Sequence, residues 1–258
     1  MEPAVLLTID GATAEIRLNR PQVLNALDTR LTIDFRDAVE AVAEHRELAV
    51  VLIRGAGRAF CSGMDLNELH EGTLDPRHFP WWERSLRRLE LLDALVVAAI
   101  HGHCVGGGLQ LALACDLRLV ASGSQLSLPA AEEGLIPGMS VFRLARFVGM
   151  GRAKALILGG QRLDAEQAQQ MGLADEVLPT AGFDAAVDAR VRALAAGHSD
   201  AARHCKRLLD VGWTQGFDEF LRLYLDSQER VRSGPDRDRF ADVYRQRRAD
   251  RRAQGSTS

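Results

Sequence analysis

An α/β fold with a helical C-terminal section is what this sequence predicts, and three observations predict it. Over the first two-thirds of the chain, short apolar runs of strand length alternate with segments whose apolar residues recur at helical spacing. That alternation is the pattern of a parallel or mixed sheet under helical cover. Two glycine-containing turns follow strand-like runs, and from Asp164 onward the chain reads as helical apart from a short strand at Glu176-Val-Leu178.

Residues 5–9 and 14–18 flank Asp10-Gly11 and read as two strands around a tight turn. Asn19-Arg20-Pro21 ends that pair. Asp28 or Thr29 caps a helix reaching about Glu44, with Leu31, Phe35, Ala38, Val39 and Val42 on one stripe. The continuous apolar run 49–53 is a buried strand, closed by Gly55-Ala-Gly57. A loop at 58–66 and a polar stretch lead to a helix at about 79–94, a strand at 95–100 and a helix starting near Gly107. Strands are expected at 116–121 and 125–128, and helices near 140–148 and 151–159. The alternating part is assigned to residues 1–195 and the helical region to 196–258. Gly234-Pro235 sets off an Arg/Asp-rich stretch, 236–252, which reads as a solvated helix face, with a subunit contact as the alternative.

A chain of 258 residues can bury a substantial core, roughly 70–75% of its unfolded surface. With 47% hydrophobic and 26% charged residues, the composition is that of an ordinary globular protein. A formal net charge of −3 gives no general attraction to nucleic acid. The longest apolar run, 91–100, is interrupted by Asp93 and is too short to span a bilayer. No charged segment precedes an apolar stretch at the N-terminus, so a cytoplasmic location is expected. Cys61, Cys104, Cys115 and Cys205 are scattered without a CxxC pair, which speaks against a disulfide framework or a structural metal site.

The chemistry-bearing segments are the two glycine turns. One is Arg58-Ala-Phe-Cys-Ser-Gly-Met-Asp-Leu66; the other is His101-Gly-His-Cys-Val-Gly-Gly-Gly-Leu-Gln110. A triple glycine opening a helix leaves unpaired backbone N–H groups at the positive end of the helix, and lets a ligand oxygen approach the backbone. That arrangement suits an anion formed during reaction; tight strand–helix packing is the plainer alternative. Neither a GxGxxG fingerprint nor a P-loop ending is present, so phosphate-gripping nucleotide folds are set aside.

The two turns in this order, with Asn19-Arg-Pro-Gln-Val-Leu-Asn-Ala-Leu27, Leu128-Pro-Ala-Ala-Glu-Glu-Gly-Leu-Ile-Pro-Gly138 and Ala168-Gln-Gln-Met-Gly-Leu-Ala-Asp-Glu-Val177, resemble the crotonase family, the enoyl-CoA hydratases and isomerases. The resemblance covers nearly the whole chain. It implies a crotonase-type spiral of strand–strand–helix units, a C-terminal helical region that builds homotrimers or hexamers, and an acyl-CoA thioester as substrate. Coenzyme A would enter only as part of that substrate, with no metal and no separate cofactor. The backbone N–H groups of Met64 and Gly107 would form an oxyanion hole. Ser62, Gly63, Asp65 and Leu66 would hold the adenine end and the backbone near Ala26 the pantetheine, with Gly106, Pro129, Ala130, Pro137 and Gly138 around the acyl group. Family members often carry Lys at the position of Val23.

Hydratases of the family place glutamates where this chain has Gln110 and Ala130. An amide has no useful pKa for taking a proton from water and alanine has no such group, so standard hydration is not expected. Loss of general acid–base help typically costs about 10²–10⁴ in rate. If residues 130–132 are extended, Glu132 points the same way as Ala130, which makes it the substitute candidate ahead of Glu133. Ser140 reads as a helix cap or a hydrogen-bond donor. His101 and His103 read as packing residues. His70, Glu83 and Arg84 are candidates to overhang an acyl pocket, with Trp81-Trp82 as lid or core. Over roughly residues 58–165 there is also a local likeness to the family's cofactor-free dihydroxyphenylacetyl-CoA dioxygenases, which hold glutamine and alanine at these two positions. In that likeness Gln110 orients the substrate and Arg84 matches a substrate-binding arginine. Enolate-forming catalysis on an acyl-CoA is the expectation; an oxygenase and a catalytically silent acyl-CoA-binding protein are the alternatives.

Overall fold

The structure is a computed structural model that describes residues 2–255. Residue 1 and residues 256–258, at the ends of the two expected regions, lie outside the described residues. Two compact units are present, residues 1–196 and 197–258.

In the first unit β1 (Val5–Asp10) and β2 (Thr13–Leu18) form an antiparallel hairpin in which Asp10 pairs with Thr13. The intervening loop is Gly11-Ala12, and Gly11 supplies its positive φ of 54°. Asp28 then caps α1 (Thr29–Glu44): its side chain accepts from the N–H of Leu31 at 2.7 Å. Next come β3 (Val50–Gly55), α2 (Leu66–Glu71) and α3 (His78–Glu90). They are followed by β4 (Leu95–Ile100), β5 (His103–Val105), α4 (Gly107–Leu113), β6 (Leu117–Ala121) and β7 (Gln125–Ser127). The unit ends with α5 (Ser140–Val148), α6 (Met150–Leu158), β8 (Arg162–Asp164), α7 (Ala165–Met171), β9 (Glu176–Leu178) and most of α8 (Phe183–Gly197).

A six-stranded sheet has the order β1-β2-β3-β4-β6-β9, parallel except for the opening hairpin. A smaller sheet has the order β5-β7-β8. β4 is followed at once by β5, and β6 by β7, so each turn of the chain lays one strand in the large sheet and the next in the small one. Isolated parallel bridges, Cys61 to Cys104 and Leu27 to Met64, extend the smaller layer back toward the N-terminus. This is the spiral of strand–strand–helix units that the sequence resemblance implies. β3 is buried at all six positions, as its unbroken apolar run requires of a central parallel strand.

α3 places His78, Trp82, Ser85, Leu86 and Leu89 on one buried stripe. Its Trp82 ring meets Phe35 of α1 at 5.1 Å between centroids. The helix stops at Glu90, four residues short of the expected end, and α2 forms inside a stretch expected to be a polar connection. β5 and β8, three residues each, were not expected.

The second unit contains α9 (Asp200–Val211), α10 (Phe217–Ser233) and α11 (Asp236–Gly255). Ser199 caps α9 through the N–H of Ala202. The Arg/Asp-rich stretch is helical, within α11. Among the described residues no helix is long and apolar enough to cross a membrane.

Candidate active site

A cavity of about 420 Å³ lies in the first unit. Its lining comes from the two glycine turns, from α3 (His78, Phe79, Trp82 and Glu83), from Gln110 on α4, and from the segment 129–138.

The backbone around the glycine turns is held by one buried side chain. Leu24 and Asn25 both have positive φ, 54° and 57°, which is costly for residues with a Cβ. Asn25 compensates with its amide: Oδ1 accepts from the N–H of Arg20, and Nδ2 donates to the carbonyls of Ala56, Ala59 and Phe60. This clamp fastens residues 20–27 to the turn after β3. Leu27 can then bridge Met64, donating to the Gly63 carbonyl and accepting from the N–H of Asp65.

The second glycine turn meets the first at van der Waals distance. A Cβ at Gly63 (φ +94°) would lie 2.9 Å from the Val105 carbonyl oxygen and 3.3 Å from the Gly107 nitrogen. A Cβ at Gly108 would lie 2.5 Å from the Cys61 carbonyl oxygen, so α4 sits against residue 61 only because position 108 is bare. Gly106 N–H donates to the Ser127 carbonyl. The N–H groups of Met64 and Gly107 have no acceptor among the described residues. With α4 only seven residues long, these two N–H groups, rather than a helix dipole, are what the site offers an anion. Beneath them, burial pushes the Cys61 thiol up to about 12, so it stays protonated at neutral pH.

Gln110 and Glu83 complete the cavity lining, and Arg143 holds Glu83 from outside it. Gln110 Oε1 accepts from Trp82 Nε1 at 3.1 Å, which fixes the amide orientation. Glu83 Oε1 accepts from the N–H of Met139 at 2.7 Å, and its Oε2 accepts from Arg143 Nη1 at 2.9 Å. Arg143 Nε also donates to Glu90 at 2.5 Å. Burial opposes the Arg143 charge, but its hydrogen bonds to Glu90 and Glu83 outweigh it and raise the guanidinium pKa.

His78, which the sequence had not marked, is buried, with Nδ1 3.0 Å from Thr32 Oγ1. Burial holds its pKa below the usual 6.5, outweighing Glu68 and Asp75, so the ring is neutral at pH 7. A histidine four residues before Trp82 on the same helical stripe was the available signal. Because the unfolded chain takes up this proton first, stability should decline as pH falls from about 6.5 through the lowered folded value. Urea midpoints measured between pH 8 and pH 5 should show that decline, and His78→Asn should reduce it.

Of the expected site residues, Ser62, Gly63, Met64, Leu66, Gly106, Gly107, Gln110, Pro129, Ala130, Pro137 and Gly138 line the cavity. Ala26 and Asp65 do not. Ala26 is buried, with its carbonyl accepting from Arg20 Nη1, and Asp65 caps α2 while pairing with Arg20. Glu132 is also outside, which corrects the expectation for it: a Cβ at Gly160 would lie 2.0 Å from its Oε1, so its carboxylate points toward that glycine. The reason is local. Pro129 starts a 3-10 turn over Pro129–Ala131 instead of an extended strand, so side chains align at i and i+3, and Glu133 joins Ala130 on the lining.

Arg84 faces solvent because one residue along α3 turns it away from the stripe that Trp82 occupies. Ser140 caps nothing: α5 begins at it, and its buried Oγ has no hydrogen-bond partner among the described residues. His70 is exposed. Trp82 is core, whereas Trp81 is partly exposed between the guanidiniums of Arg36 and Arg77, 5.1 and 4.4 Å from its ring. His101 lies 3.0 Å from the Gly57 carbonyl, and His103 is exposed. Among the described residues no group of three or more His, Cys, Asp or Glu could hold a metal ion.

Comparison with known proteins places this geometry among relatives. The profile of the enoyl-CoA hydratase/isomerase family matches residues 8–240. A short-chain-enoyl-CoA hydratase of Clostridium acetobutylicum is 35% identical over 178 residues, 67% of this chain and 68% of that protein. A (3,5-dihydroxyphenyl)acetyl-CoA 1,2-dioxygenase of Amycolatopsis orientalis is 34% identical over 82% of this chain but 53% of its own length. Among solved structures, an enoyl-CoA hydratase homologue from Thermobifida fusca, in complex with acetoacetyl-CoA, superposes with a TM-score of 0.79. It is 32% identical, over 88% of this chain and 93% of that one.

Proposed function

The chain belongs to the enoyl-CoA hydratase/isomerase family, and from that premise we propose that it binds an acyl-CoA thioester and stabilises the thioester's enolate on the N–H groups of Met64 and Gly107. Two unpaired N–H groups brought together by the contact between Gly63 and Gly107 carry this reading. A carbonyl oxygen that becomes an oxyanion between two fixed donors gains several kcal/mol over its ground state. The acetoacetyl-CoA held by the Thermobifida fusca relative supports the ligand class. In this reading Ser62 to Leu66 and the backbone near Ala26 hold the adenine and pantetheine ends. The acyl group lies between Trp82, Gln110 and residues 129–138.

At the two positions where hydratases of the family keep glutamates, this protein has a fixed amide and a methyl group. Gln110 orients, since its Oε1 is committed to Trp82, and Ala130 makes room. The reaction therefore differs from two-glutamate hydration. A second reading, oxygenation of an aromatic acyl-CoA, is favoured by the identity shared with the Amycolatopsis orientalis dioxygenase.

A time course with crotonyl-CoA and a longer enoyl-CoA, in air and without oxygen, tests both. The expected result is calorimetric binding with loss of the enoyl absorbance at least about 10²-fold slower than a family hydratase. Hydration at hydratase rates would overturn the atypical assignment. Oxygen-dependent consumption of an arylacetyl-CoA would select the second reading. Binding without turnover of any thioester would leave a carrier or sensor.

A further inference from the structure

We propose that Glu83 is the catalytic carboxylate that exchanges a proton with the bound acyl group, compensated by an arginine it shares with Glu90. The proposal rests on the acyl-CoA reading above.

Glu83 and Glu133 are the carboxylates on the cavity lining. Glu133 is exposed, and its carboxylate makes no hydrogen bond or ion pair with the described residues. Glu83 is fixed at both oxygens, by the Met139 N–H and by Arg143. Its head hangs over Gly138, whose absent side chain leaves the space: a Cβ there would lie 2.4 Å from Glu83 Oε1 and 3.0 Å from Gln110 Nε2. Gln110 is one helical turn along α4 from Gly107, so the carboxylate faces the same cavity as the two free N–H donors.

The charge arrangement allows Glu83 to change protonation state. Arg143 is 6% exposed and bridges Glu83 and Glu90, and Glu90 has a second partner in the exposed Arg87 at 2.9 Å. When Glu83 takes a proton, Arg143 keeps Glu90 as its partner, so the buried guanidinium is not left unpaired. A one-to-one ion pair would not permit this, because protonation would strand the arginine. Glu90 is outside the cavity lining, which leaves Glu83 as the member that reaches a ligand.

The step balances. A C–H bond adjacent to the thioester carbonyl, or at the vinylogous position, breaks and its proton bonds to a Glu83 oxygen. The electron pair moves through the new C=C bond onto the carbonyl oxygen between Met64 and Gly107 N–H. Return of the proton to either carbon regenerates the carboxylate and yields the original thioester or its double-bond isomer.

Butyryl-CoA incubated with the protein in D2O, followed by mass spectrometry, reads the first half of that step directly. The wild-type protein should incorporate deuterium into the acyl chain. Glu83→Gln should slow incorporation by at least about 10²-fold, with calorimetric affinity for butyryl-CoA and thermal midpoint close to wild type. Glu83→Asp, which keeps the charge but withdraws the carboxylate, should retain part of the exchange and its dependence on a deprotonated acid. Exchange undiminished in Glu83→Gln overturns the proposal and leaves the acyl-CoA reading standing. The same holds if Glu133→Gln abolishes exchange while Glu83→Gln does not. A wild-type protein that binds butyryl-CoA without exchange also removes Glu83 from this role, whereas failure to bind any CoA thioester overturns the functional reading beneath it.

Discussion

Replacing Gly107 by proline should lower turnover of a converted thioester by about 10²–10³, the usual cost of one lost oxyanion donor. Position 107 is the first residue of α4, where a proline ring is tolerated because the missing N–H has no helical acceptor. A Cβ there would, however, lie 2.3 Å from Leu27 Cδ1, so any side chain disturbs Leu27 as well. The comparison therefore belongs in a Leu27→Val background, which removes that methyl, with Gly107→Ala as the reference. Alanine keeps the N–H and adds the Cβ; proline adds the Cβ and deletes the N–H. A large kcat difference between the two, at similar CoA-thioester affinity, assigns the effect to the donor. Equal rates would end the case for Gly107 as half of an oxyanion hole.

Arg143→Met should be the most damaging single change to stability, at about 3–5 kcal/mol, because it leaves Glu83 and Glu90 facing each other without their shared cation. In a chain of this length that is a fall in Tm on the order of 10 °C. Adding Glu83→Gln and Glu90→Gln should recover most of the loss, since a neutral cluster no longer needs the guanidinium. Differential scanning calorimetry of the single and triple variants checks both statements. If the single variant melts within a degree or two of wild type, the bridge is solvated and contributes little.

The large-scale architecture was legible in the sequence. Strand–helix alternation gives the sheet, and Asp28 marks the start of α1 because an N-cap is a local signal. The glycine turns were legible as a pair, and Gly63 and Gly107 do approach each other in space. What escaped was decided by single residues acting against a period. Pro129 turns a strand-like run into a 3-10 turn, sending Glu132 out and Glu133 in. The stripe of α3 sets Glu83 rather than Arg84 over the cavity, a difference of one residue that needs the helix phase to resolve. Arg143, far from Glu83 and Glu90 in sequence, could not be joined to them without the fold.

Asn25 spends its whole amide on the main chain, and the two N–H groups it helps to position are main-chain atoms too. An alanine scan would therefore walk past the proposed chemistry at residue 64 without disturbing it, since Met64→Ala leaves the amide in place. Screens that score side chains would rank this site as tolerant, and sequence drift at that position would be silent. Backbone editing, with an ester in place of the amide that contributes each N–H, is the perturbation matched to a site built from the polypeptide itself.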